Sequence, residues 1–269
     1  MSLLFVAIDI RSTPESPVLK WGFVLITAYA GPVGAFLYVL GCREPIPGLH
    51  ERYVSTRWRQ VLGSTMHCVA GDGVGILAGA VIASAIHLSA VLDVALEYVL
   101  GFGFGWAIFQ ALFMRNMAGG SYKRALSTTF VPELLSMNCL MAGMVPTMMW
   151  AMGSTPSAHS PAEPAFWFVM SMALLVGFVT AYPMNWWLVS RHMKHGMMTI
   201  RPAHQLADEI MTHGDIPGHA HDARTATTSH SEGQQAAEPV SWRAISGMTI
   251  VSFSVFGIGL WLATLLMHM

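Results

Sequence analysis

Charge is what this sequence has least of: Lys, Arg, Asp and Glu together make up 11% of its 269 residues, and the formal net charge is −1. A water-soluble domain carries roughly a quarter charged residues, so this scarcity excludes an ordinary soluble fold. The near-neutral balance excludes a dedicated nucleic-acid partner. Cysteine is equally sparse: Cys42, Cys68 and Cys139 are scattered without CxxC spacing, which excludes a disulfide framework and a zinc ribbon. No phosphate loop, dinucleotide fingerprint, HExxH, GxSxG or CxxCH is present, so the chemistries those motifs anchor have no foothold. The short run Leu3–Ile8 lacks a basic flank and is interrupted by Asp9, so it does not read as a cleaved secretory signal.

Apolar residues fill the gap, at 54% of the chain. They gather in about six stretches, near 19–40, 64–90, 94–114, 132–152, 166–189 and 243–266, each of the roughly 20 residues a helix needs to cross about 30 Å of hydrocarbon. The fold class is therefore all-α: a polytopic membrane bundle with about six transmembrane helices. It divides into a five-span bundle over 1–198, a flexible His-containing linker over 199–241, and a sixth span over 242–269. The linker holds His204, His213, His219, His221 and His230 without apolar periodicity. Of the 14 basic residues only Arg11 and Lys20 lie before or at the start of the first stretch; eleven of the other twelve fall in loops 42–62, 115–131 and 190–242, Arg243 opens the last stretch beside the third of these loops, and none lies in Ser89–Asp93 or Gly153–Pro164. The positive-inside rule assigns the basic loops to the cytoplasm of a bacterial inner membrane and both termini to the outside.

Ionisable groups inside such spans cost several kcal/mol each, and by default they mark function. The polar and ionisable candidates within the spans fall at His67, Cys68, Asp72, Glu97, Gln110, Glu133 and Asn138. In span two, Gly71, Gly75 and Gly79 follow His67 every fourth residue, and in span three Gly101 and Gly105 follow Glu97. Such stripes of missing side chains let two helices approach closely. A packing seam explains the glycines completely, but gains nothing from His67, Asp72 or Glu97. In span four Glu133, Met137, Met141, Met144 and Met148 share one helical face. The chain holds 20 methionines; thioether sulfur is a soft ligand that selects Cu(I), although methionine also fills gaps in packed cores. The candidate metal ligands are His67, Cys68, Asp72, Met137 and Met141, and the candidate proton relay or polar network is Glu97, Gln110, Glu133 and Asn138. A haem reading needs a second His level with His67, and His192 is the candidate.

The series His67-Cys68-x-x-Gly71-Asp72, Glu97-Tyr98-x-x-Gly101-Phe102-x-Phe104-Gly105, Phe109-Gln110-Ala111-Leu112-Phe113-Met114, Gly119-Gly120-Ser121-Tyr122, Pro132-Glu133-Leu134-Leu135-Ser136-Met137-Asn138 and Tyr182-Pro183-x-Asn185-Trp186-Trp187 resembles a bacterial membrane family catalogued only as a domain of unknown function. The resemblance spans about 60–200, and some members carry copper-related names. It implies metal handling but no defined reaction. The reading is therefore a membrane protein that handles or transports a soft metal ion such as copper, in contact with the lipid bilayer. Two alternatives stay open: a membrane oxidoreductase with a metal or haem cofactor, and an accessory subunit with partner membrane subunits.

Overall fold

The computed structural model describes residues 1–43, 50–115, 120–194, 196 and 240–267. Among these residues every regular element is helical. Four short helices come first: α1 (Ser2–Asp9), α2 (Pro17–Ala30), α3 (Pro32–Gly41) and α4 (His50–Val54). Five long apolar helices follow, each long enough to cross a membrane. They are α5 (Arg57–Ala85), then α6 (Ala90–Gly103), which runs through a π-helical turn (Phe104–Gln110) into α7 (Ala111–Arg115) as one rod, then α8 (Tyr122–Ser154), α9 (Pro164–Ser190) and α10 (Trp242–Met267). The bundle thus fits a multi-pass membrane protein. Nearly all of the stretch 199–241 lies outside the described residues.

The stretch expected as a first span near 19–40 is two helices, not one. Ser16 caps α2 by accepting the Leu19 amide, and Pro17 opens its first turn, a position where a missing N–H costs nothing. Gly31 then adopts φ 58°, a conformation costly for any residue with a Cβ, and Pro32 starts α3 on a new axis. The pair folds back so tightly that a Cβ on Gly34 would lie 2.7 Å from Thr27 Cα. At about 21 and 15 Å long, neither helix crosses a bilayer. Near the hairpin tip, the Tyr29 hydroxyl donates to the Val69 carbonyl, halfway along α5. At its base Tyr38 donates to Asp9 (2.8 Å), Arg43 pairs with Asp9 (2.9 Å), and Tyr53 donates to the Leu40 carbonyl (2.9 Å). The chain enters and leaves this hairpin at the end of the bundle where α5 begins.

The small-residue seams bring α5 and α6 into backbone contact. A Cβ on Gly75 would strike the Leu100 carbonyl, and one on Gly79 would lie 3.0 Å from Glu97 Cα. Gly71 makes room for the Phe109 ring, 2.8 Å from where its Cβ would be. On the other flank Gly259 of α10 leaves space for Ala142 of α8.

Candidate functional site

At the end of the bundle that carries the basic residues, α5, α8 and the stretch after α9 converge on one buried polar cluster. Its centre is Lys194, whose side chain is 0% exposed. The Lys194 ammonium donates to Cys68 Sγ (2.6 Å), Glu133 Oε2 (3.1 Å) and Asn185 Oδ1 (3.1 Å). The Cys68 thiol faces the same Glu133 oxygen at 3.5 Å. Asn185 is held in turn, its amide donating to Ser136 Oγ (2.9 Å) and the Ala181 carbonyl (3.2 Å). Burial acts to strip the lysine of its proton, but Cys68 and Glu133 outweigh it and raise its pKa above the ordinary range.

Local backbone explains how a residue beyond the end of α9 reaches the interior. After Ser190 the helix closes with the Met193 amide bonded to the Leu188 carbonyl (3.0 Å) and the His192 amide to the Val189 carbonyl (3.1 Å). These paired bonds define a Schellman cap. Its left-handed position, usually glycine, is occupied by His192 at φ 54°. The reversal turns the chain under the bundle and points Lys194 inward. Gly196 follows against Gln60 of α5, where a Cβ would have no room.

Asp72 lies one turn beyond Cys68 on α5. The π-helical turn supplies its setting, since a Cβ on Gly105 would strike the Asp72 carboxylate and lie 3.0 Å from Glu133 Oε1. Two carboxyls from different helices thus meet where one side chain is missing. Both Asp72 oxygens and Glu133 Oε1 are buried without a hydrogen-bond partner. A π turn widens the helix locally and is common at functional sites; the same turn places Gln110, buried with Oε1 unpartnered, at its far end.

His67 is buried one turn before the acid pair. Its ring packs edge-on against Phe109 (5.5 Å between centroids) and tilted against Phe113 (5.4 Å). The Phe109 backbone runs beside the ring without completing a hydrogen bond, so both ring nitrogens stay unpartnered. Met137 and Met141 are buried in the core, and the Met137 methyl lies 2.8 Å from where a Gly101 Cβ would be, beside the Asp72 backbone.

Other candidates lie elsewhere. Asn138 belongs to a separate tie, accepting from Tyr98 (2.7 Å) and donating to Ser252 (3.2 Å), which joins α6, α8 and α10. Glu97 faces Gly79 toward the opposite end, with both oxygens buried and unpartnered. His192 is exposed on its turn while His67 is buried, so the two do not form a haem pair. Among the described residues no group of three or more His, Cys, Asp or Glu is placed to hold a metal ion. Sequence reading missed Lys194, because a lysine just past a span reads as a cytoplasmic flank. The signal available was Glu133 and Asp72 at one depth with no basic residue in the spans that carry them to balance them.

The chain belongs to the family described as a domain of unknown function, DUF4396, whose model matches residues 57–194. The match opens on the first residue of α5 and closes on Lys194, so it contains every member of the cluster. No curated protein and no solved structure matches the chain.

Proposed function

We propose that this family member exchanges a cation for protons at the Asp72–Glu133–Lys194 cluster, with Lys194 as a built-in competitor for the cation's place. The observation that carries the reading is the fully buried ammonium, held by a carboxylate and a thiol and delivered by a turn instead of a helix. A tethered ammonium occupies the position a mobile cation would take. A cation arriving beside Cys68 and Glu133 would displace it, and withdrawal needs only the short stretch after α9 to move. An unpartnered carboxyl in hydrocarbon is far cheaper to hold as the neutral acid than as the anion. Asp72 is therefore the proton-carrying member: loss of its proton leaves a carboxylate that takes the displaced ammonium, so one proton leaves for each monovalent cation bound beside Glu133. The thiol and the buried methionines beside this site favour a soft cargo such as Cu(I).

Orientation follows from the hairpin. Because α2 and α3 enter and leave on one side and five long helices remain, the hairpin supports an orientation with the amino terminus in the cytoplasm and the carboxyl end outside. This orientation puts all 14 basic residues on the cytoplasmic side, where the positive-inside rule wants them. The sequence reading left Arg11 and Lys20 outside.

Infrared difference spectra of the reconstituted protein between acid and alkaline buffer test the proton site. A neutral-carboxyl band should titrate in the wild type and vanish in Asp72→Asn. In liposomes containing a trapped pH dye, adding Ag(I) should release protons, and Lys194→Gln or Glu133→Gln should abolish that release. No titrating band together with no proton release overturns the reading.

A further inference from the structure

The opposite end of the bundle holds a second set of donors that the cluster does not use. Between the start of α6, the end of α8 and the turn after it lies a cavity of about 710 Å³ lined by Asp93, Met148, Met149, Met152 and His159, with no lysine or arginine on its wall. Three thioethers, one imidazole and one carboxylate are an unusual lining. Hard cations want several oxygen donors, and here Asp93 is the single carboxylate. Zinc wants His and Cys, and among the described residues no three His, Cys, Asp or Glu converge on a metal position. What remains is sulfur with one nitrogen, the donor set that suits a soft monovalent ion.

Met148 belongs to the core and Met149 and Met152 pack against it, but the last two are only partly buried and also border an open cavity, whereas purely gap-filling methionines close space. Asp93 Oδ1 is an independent sign. It is buried without a hydrogen-bond partner, a free acceptor at a site where one bound positive charge would satisfy it. A line of buried thioethers also runs inward from the cavity wall. Met148, on its wall, begins the buried series Met148, Met144, Met141, Met137, and Met137 ends beside the Asp72 backbone. Steps of three or four residues set these thioethers about 5–6 Å apart along α8.

We infer that this cavity is a soft-cation port: Met148, Met149 and Met152 bind Cu(I) or Ag(I) with His159, Asp93 balances the charge, and the buried methionines lead the ion toward the Lys194 cluster. The last step rests on the exchange function proposed above; binding in the cavity does not.

Ag(I) binding to the purified full-length protein in detergent, measured by competition against a soluble thioether, tests the port. The wild type should bind Ag(I), and the triple variant Met148→Leu, Met149→Leu, Met152→Leu should bind more than about tenfold more weakly with unchanged helicity and melting, since leucine nearly conserves volume. His159→Ala should weaken binding independently, which covers a triple variant that fails to fold. The weakening caused by the triple variant should persist in a Lys194→Gln background, where the inner cluster's exchange is already lost, so a failed exchange function would not remove this site. Absence of wild-type Ag(I) binding overturns the proposal. Binding that survives both the triple variant and His159→Ala but is lost in Cys68→Ser also overturns it, by placing the metal at the inner cluster.

Discussion

At Lys194, exchange of the ammonium for an amide would leave Glu133 as a buried charge with its strongest partner removed. Lys194→Gln is expected to cost about 3–5 kcal/mol, read as a lower midpoint of unfolding in detergent. The double variant Lys194→Met, Glu133→Leu should recover most of that loss, because replacing both members of a buried pair by apolar groups is often neutral or stabilising. Gly105 makes a sharper prediction: Gly105→Ala drives a methyl into the Asp72 carboxylate. It should shift the infrared carboxyl band while leaving the Lys194–Glu133 contact in place. A band unchanged from wild type would mean that Asp72 and Gly105 do not meet. Much of this constellation is legible in the sequence: Cys68, Asp72 and Glu133 are intramembrane polar residues at similar depth, and burial cost alone singles them out. Lys194 is not legible, because its inward path depends on a backbone reversal at a residue whose identity, histidine, carries no conventional signal for one.

At the scale of elements, two left-handed residues do most of the shaping. Gly31 ends α2 and permits the fold-back; Gly31→Ala should destabilise the hairpin by about 1–2 kcal/mol. His192 also holds a positive φ, 54°, but with a side chain, and its exposure means little packing would be lost on removal. His192→Gly should therefore stabilise the cap by about 1 kcal/mol, visible as slower exchange of the Met193 and Lys194 amides. Unchanged or faster exchange would mean that His192 is not strained there. The glycine seams were readable from four-residue spacing, because small residues in an apolar helix have few other uses. The broken first helix was not: its apolar stretch has the length of a span. Only the joint presence of Gly31 and Pro32 hints at a turn, and such a pair is also tolerated within membrane helices.

For the whole molecule, crossing number decides which compartment each end meets. A cysteine placed at exposed Ser157, between α8 and α9, should react with an impermeant maleimide applied to intact spheroplasts, whereas one at exposed Ser12 should react only after lysis. The native thiols Cys42, Cys68 and Cys139 are buried and give little background. Labelling of Ser12→Cys from outside would restore a crossing over residues 19–40 and move the amino terminus to the exterior. Composition alone was enough to identify a helical membrane bundle, whereas the proposed parity of its crossings rests on the hairpin.

The antiparallel contact of α5 and α6 also has an electrical meaning. Asp72 faces Gly105 and Glu97 faces Gly79, so the two acids are seven or eight residues apart along their helices, about 11 Å. That is roughly a third of the hydrocarbon thickness. A proton passing from one acid to the other would cross about a third of the membrane voltage, near 0.8 kcal/mol per 100 mV. Any current carried through this pair should therefore change about fourfold per 100 mV, while binding at Lys194, at the edge of the field just past the end of α9, should hardly respond to voltage.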